Sequence, residues 1–207
     1  MALIVSAVAN AGIIPILTSG PVSSGGNFIY TYELRLQQDE RLDPAATAGV
    51  TCPATTGLVQ CNPAGTFQTI YDIDGFQSVN VTAANWFATI QFTGITPSTI
   101  KGTFDSPNLV NVTFFYTGPV VHANSSVVPF DGFQVVSSIN GTTQGNFSFQ
   151  ATKDAGSSSG NTDQGTGPVL VPGNSSTGQV VPEPATMGLL GFGLIGFAAA
   201  KRYFSRS

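Results

Sequence analysis

The sequence predicts an all-β fold, an antiparallel β-sandwich with jelly-roll-like or Greek-key connections. Three observations carry that prediction: few charges, runs of strict apolar/polar alternation, and turn dipeptides spaced between the runs. Charged residues make up 9% of the chain, against roughly 25% in an average soluble protein. Gly, Ser, Thr, Asn and Gln stand in their place. Exposed helix faces draw on long charged side chains, whereas polar sheet faces are built from Thr and its small polar neighbours.

The alternating runs follow in chain order, with the period of two that marks half-buried strands. Phe28, Tyr30, Tyr32, Leu34 and Leu36 share one face, and Thr31, Glu33 and Arg35 the other. Phe67, Thr69, Tyr71 and Ile73 repeat the pattern, as do Trp86, Ala88, Ile90 and Phe92. Val110, Val112, Phe114 and Tyr116 follow, then Phe133, Val135 and Ser137, and finally Phe147, Phe149 and Ala151. Asp74-Gly75, Thr93-Gly94, Thr117-Gly118-Pro119, Asp131-Gly132 and Asn140-Gly141 separate or flank these runs and read as turns. Asn140-Gly141, lying between two alternating runs, predicts a hairpin with a type I′ turn.

These runs belong to a folded region assigned to residues 12–155. Residues 42–65 form a long insertion of small residues that leaves the sheet as a loop. Its two cysteines, Cys52 and Cys61, are the only ones in the chain. A zinc site cannot be assembled from them, because His122 is the only histidine. A local disulfide is the expected pairing in an exported chain. Residues 156–180 are rich in Gly, Ser, Asn and Thr and read as a low-complexity spacer; the patch Val169-Leu170-Val171 within it is apolar enough to pair as a last strand. Residues 1–11 read in two ways. One is the end of a signal peptide, with Ala9-Asn10-Ala11 as a small-x-small cleavage site and no basic segment ahead of it. The other is a buried first strand.

Charge excludes one class of partner. Residues 12–180 hold four basic side chains (Arg35, Arg41, Lys101, Lys153) against ten acidic ones, a balance of −6. No basic patch is available to neutralise phosphates, so nucleic acid is not an expected partner.

Signs of catalysis are sparse, no cofactor is implied, and an enzyme is not expected. His122 lies in Val120-Val121-His122-Ala123 with no sequence neighbour to orient it as a general base. Asp72 and Asp74 in a D-x-D-G string are a weak calcium candidate that lacks the remaining ligands of a calcium loop. Asp105 and Asp131 are the pair of carboxylates a glycosidase reading would use. Phe87 and Phe115 fall on the strand face opposite the expected core. Trp86 and Phe115 therefore carry the alternative function, a carbohydrate-binding module with exposed aromatics. The competing expectation is that both faces are covered there.

The most specific segment is residues 181–207. It opens with Pro182-Glu183-Pro184, continues through an uncharged apolar run at residues 185–200, and ends in Lys201, Arg202 and Arg206. The run is hydrophobic all round, as a membrane helix is. At about 16 residues it reaches roughly 24 Å, which spans a bilayer if Lys201 and Arg202 snorkel. The positive-inside rule puts the basic end in the cytoplasm. This tripartite tail resembles the PEP-CTERM sorting signal of bacteria that make exopolysaccharide. The resemblance implies several things at once: processing by an exosortase at or near Pro182-Glu183-Pro184, a precursor held in the inner membrane, and a mature protein at the cell surface or in the extracellular matrix, associated with exopolysaccharide. Thr69-Ile70-Tyr71-Asp72, Gly75-Phe76, Trp86 and Asn111-Val112-Thr113-Phe114 look, more loosely, like segments of ectodomains that carry such tails.

Overall fold

A computed structural model describes residues 12–44, 65–97, 99–101 and 105–174. These residues are built almost entirely from strands: β1 (Ile13–Ser24), β2 (Asn27–Leu36), β3 (Glu40–Leu42), β4 (Phe67–Ile73), β5 (Phe76–Val81), β6 (Trp86–Gln91), β7 (Val110–Tyr116), β8 (Val121–His122), β9 (Val128–Ser137), β10 (Thr142–Lys153) and β11 (Thr162–Pro172). One 3₁₀ turn, Gly156–Ser158, joins the last two. All pairings are antiparallel and form two sheets. The first has the order β1-β2-β9-β5. The second runs β6-β7-β4-β10-β3-β8, with β11 also on β10. β10 is the hub of this sheet: β11 pairs with it from Thr142 to Thr152, while β4 meets it at 147–150 and β3 at Thr152 and Lys153.

The sandwich-like packing follows from the alternation. Tyr30, Tyr32, Leu34 and Leu36 of β2 and Phe133 and Val135 of β9 share one cluster with Ile70, Val112, Phe114, Phe147, Phe149 and Ala151 of the second sheet. Each strand thus gives one face to a common core, where burying a large apolar side chain stabilises by ~1.5–3 kcal/mol.

Two of the turn dipeptides do something other than the sequence predicts. Asn140-Gly141 is not a hairpin, because β9 and β10 lie in different sheets and the chain crosses between them there. The crossing is tied to β2 by a side chain: the Tyr30 hydroxyl lies 2.6 Å from the Ile139 carbonyl and 2.7 Å from that of Gly141, and accepts from the Gly141 N–H. Asp74-Gly75 is a turn, as the sequence predicts, and carries the chain from the second sheet to the first. Asp131-Gly132 sits inside β9 at a break in register against β2, a bulge rather than a turn. The true two-residue hairpin is Gly25-Gly26, between β1 and β2, where both glycines have positive φ as a type I′ turn requires.

The spacer expected at 156–180 also needs correction. Residues 162–172 form β11, in unbroken register with β10. A long strand such as β10 leaves a row of unpaired N–H and C=O groups on each edge, and β11 satisfies one of them. Its alternation buries Val169 and Val171, and Pro168 and Pro172 are tolerated because β11 is an edge strand. The chain divides after Asn174 into two units, 1–174 and 175–207.

Candidate functional site

A cluster of charged side chains gathers at the end of the second sheet where β3, β10 and β11 meet. Lys153 is paired directly with Glu40 across the β10–β3 ladder. Asp163 sits opposite Ala151, two residues from Lys153 on the same face. Such direct and diagonal neighbours lie within reach of one another. The Lys153 Nζ accordingly donates to Glu40 Oε1 at 2.9 Å and to Asp163 Oδ2 at 3.0 Å. Glu40 is 1% exposed, and its second oxygen, Oε2, has no hydrogen-bond partner. Burial is the chief reason its carboxyl is pushed up to about 7, with Lys153 working against the shift. Burial pulls the Lys153 amine the other way, but its hydrogen bonds to the two carboxylates outweigh this and leave it above its ordinary value.

On the opposite side of the same strands, Arg41 is paired with His122 across β3 and β8. Arg41 donates to Asp43 at 3.1 Å and lies 3.7 Å from Asp154, while His122 Nδ1 is 2.7 Å from Asp154 Oδ2. Asp154 is therefore the orienting partner that the sequence around His122 does not reveal. No local pattern could have found it, because it arrives from the far end of β10.

The insertion at 42–65 is closed at its neck. The Asp43 N–H donates to Thr66 Oγ1 at 2.8 Å, and a Cβ on Gly65 would stand 2.6 Å from the Pro44 carbonyl oxygen, so only glycine fits. Cys52 and Cys61, with the disulfide expected between them, lie outside the described residues.

Asp72 and Asp74 are placed apart in role. Asp72 has a φ of 58° and sits where the β4–β7 register slips, between Ile70 and Ile73. This bulge sends Ile73 to the core face, so Phe67, Thr69 and Tyr71 do not share its face as the alternation predicts. Asp72 Oδ1 accepts from the Ser106 N–H at 2.8 Å. Burial raises the Asp72 carboxyl above its ordinary range, Asp105 adds to this, and the Ser106 hydrogen bond opposes it. Asp105 in turn accepts from the Gly94 N–H and from Asn111 Nδ2, both at 2.8 Å. Asp74 contributes backbone: its carbonyl accepts from Ser137 Oγ at 2.6 Å. Among the described residues no group of three or more His, Cys, Asp or Glu side chains could hold a metal ion. Asp131 lies in the first sheet, on β9, whereas Asp105 is hydrogen-bonded to β7 of the second.

The exposed aromatic platform is overturned. Trp86 is 7% exposed and Phe115 2%. Trp86 packs in the core against Tyr116, Phe130 and Phe133, with ring centroids 5.2–5.7 Å apart. Phe115 stacks on Phe87 at 5.2 Å and packs with Phe67 and Ile95 in a second cluster. Both faces of the second sheet are thus covered at β4, β6 and β7. The segment after β6 folds back over its outer side, where the Ile95 carbonyl accepts from Thr69, Tyr71 and Ser148. Burial of these hydroxyl-rich strands pushes the Tyr71 phenol up to about 12.

The predicted sorting residues Pro182, Glu183, Pro184, Lys201, Arg202 and Arg206, the apolar run 185–200 and residues 1–11 lie outside the described residues. Among the described residues no helix is long and apolar enough to cross a membrane. Neither curated proteins nor solved structures give a match to this chain. A family model does: the PEP-CTERM protein-sorting motif matches residues 180–202. The match contains the Pro182-Glu183-Pro184 tripeptide, the apolar run and the first two basic residues, and falls wholly within the second unit of the chain. The chain therefore carries a PEP-CTERM protein-sorting motif over residues 180–202.

Proposed function

We propose that the β-rich unit is the exported portion of an exosortase substrate, delivered to the bacterial cell surface or extracellular matrix by the motif at residues 180–202. The family-model match carries this reading. Its physical basis lies in three consecutive features. Pro182 and Pro184 each fix φ near −65° and disfavour helix in the residue before them, which keeps Glu183 extended and open to a protease. The apolar run at 185–200 holds the precursor in the inner membrane, and Lys201, Arg202 and Arg206 set its orientation. The jelly-roll-like β-sandwich is the part that arrives. We read it as a non-enzymatic surface protein associated with exopolysaccharide. The sparse charge, which suits a stable extracellular sheet, supports that reading.

The test is mass spectrometry of cell-surface material from a strain encoding an exosortase. Wild-type chains should end at or near Pro182-Glu183-Pro184. Replacing all three by alanine should leave a full-length precursor in the membrane fraction. An intact tail through Ser207 on mature wild-type protein, with the alanine variant localised identically, would refute sorting. Retention in the purified polysaccharide matrix, and its loss on enzymatic removal of the polysaccharide, tests the association.

A further inference from the structure

We propose that Lys153 and Asp163 become joined by a covalent side-chain amide, an intramolecular isopeptide bond between β10 and β11, with Glu40 as the proton carrier. The proposal goes beyond the sorting reading and stands on the geometry at the end of the second sheet.

Three requirements of amide formation are met there. The amine must sit against the carboxyl carbon it attacks, and reacting atoms held in near-attack contact gain most of what orientation can give. Lys153 Nζ is 3.0 Å from Asp163 Oδ2, one bond away from the carbon. The acid that moves the protons must be within hydrogen-bond reach. Glu40 Oε1 is 2.9 Å from the same nitrogen. That acid must also hold a proton readily and have an oxygen free to pass it on. Glu40 is buried with Oε2 unpartnered, and its carboxyl is pushed up to about 7. The two remaining partners are less deeply buried than Glu40, with side chains 33% and 19% exposed for Lys153 and Asp163, which leaves a path for water to depart.

The step balances without any co-reactant. The Lys153 ammonium gives one proton to Glu40, freeing the nitrogen lone pair. The nitrogen attacks Cγ of Asp163, one N–C bond forms and one C–O bond of the carboxyl breaks. Glu40 relays both protons lost by nitrogen to the departing oxygen, which leaves as one water, and Glu40 ends in the state in which it began. The product ties β10 to β11 beside the 3₁₀ turn that connects them. A cross-link of this kind suits a protein outside the cell because it cannot be reduced.

The test is intact-mass analysis of the full chain in detergent, each protein compared with the mass of its own sequence. Lys153→Arg keeps the positive charge but lacks the nucleophile, so it also cancels any mass change from the cysteines. Wild type should be lighter than Lys153→Arg predicts by one water, essentially completely. Cleavage ahead of Asp154 should leave the segments bearing Lys153 and Asp163 joined. Glu40→Gln, close in shape and able to fold, should show no loss of water, and Asp163→Asn should lose one ammonia instead. Circular dichroism checks that each variant is folded. A wild-type chain that stays at the mass set by Lys153→Arg after prolonged incubation, with the two segments separating on cleavage, would overturn the proposal and leave the cluster a plain ion pair. Bond formation undiminished in Glu40→Gln would overturn the role of Glu40.

Discussion

Replacing Gln68 by methionine should make the β-rich unit more stable. Gln68 is fully buried, and it lies on the core face of β4, directly paired with Phe114 on one side and Phe149 on the other. Neither its Nε2 nor its Oε1 has a hydrogen-bond partner in the protein. An amide buried without partners costs about 1–3 kcal/mol on mutational scales. Methionine keeps the unbranched shape and has a thioether that tolerates aromatic neighbours. Imperfect repacking takes back less than about 1.5 kcal/mol. The expected net gain is about 1 kcal/mol, and each kcal/mol raises Tm by roughly 2–4 °C in a domain of this size. Guanidinium unfolding followed by fluorescence of Trp86, the only tryptophan in the chain and a core residue, reads the change as a shift in midpoint at constant slope. A variant less stable than wild type by more than about 1 kcal/mol would show that the Gln68 amide is satisfied in solution, and the reasoning would fail.

Two further outcomes are expected. The raised Glu40 carboxyl gives stability that is present below the unfolded-state value near 4.5 and is lost as pH rises through about 7; unfolding midpoints measured between those limits should fall with pH in Lys153→Arg, which keeps the positive charge and forms no cross-link, and flatten when Glu40→Gln is added. Phe115→Ala should cost about 3–5 kcal/mol by denaturant titration, whereas Phe92→Ser, at a position 54% exposed, should stay within about 0.5 kcal/mol; near-equal effects would contradict the covered second face.

The amino-acid sequence by itself determined the two things that are written locally. The strands of β2, β7, β9 and β10 are legible because their alternation is uninterrupted where it matters, and side chains two residues apart must share a face. The sorting motif is legible because its parts are contiguous and act as a linear address. Only the tertiary structure decided the rest. The bulge at Asp72 moves Ile73 to the other face, since one extra residue inverts the alternation beyond it. Asn140-Gly141 is a crossing because β9 and β10 belong to different sheets, although the same dipeptide favours a hairpin in isolation. The patch Val169-Leu170-Val171 is legible as a last strand, but its extension back to Thr162 is not, because that follows from pairing along the length of β10. Burial of Phe115 required Ile95 to return over the sheet, and the joining of Glu40 to Lys153 spans 113 residues. Strand order brings such groups together, and strand order is set by how two sheets close on a common core, a property no local pattern encodes.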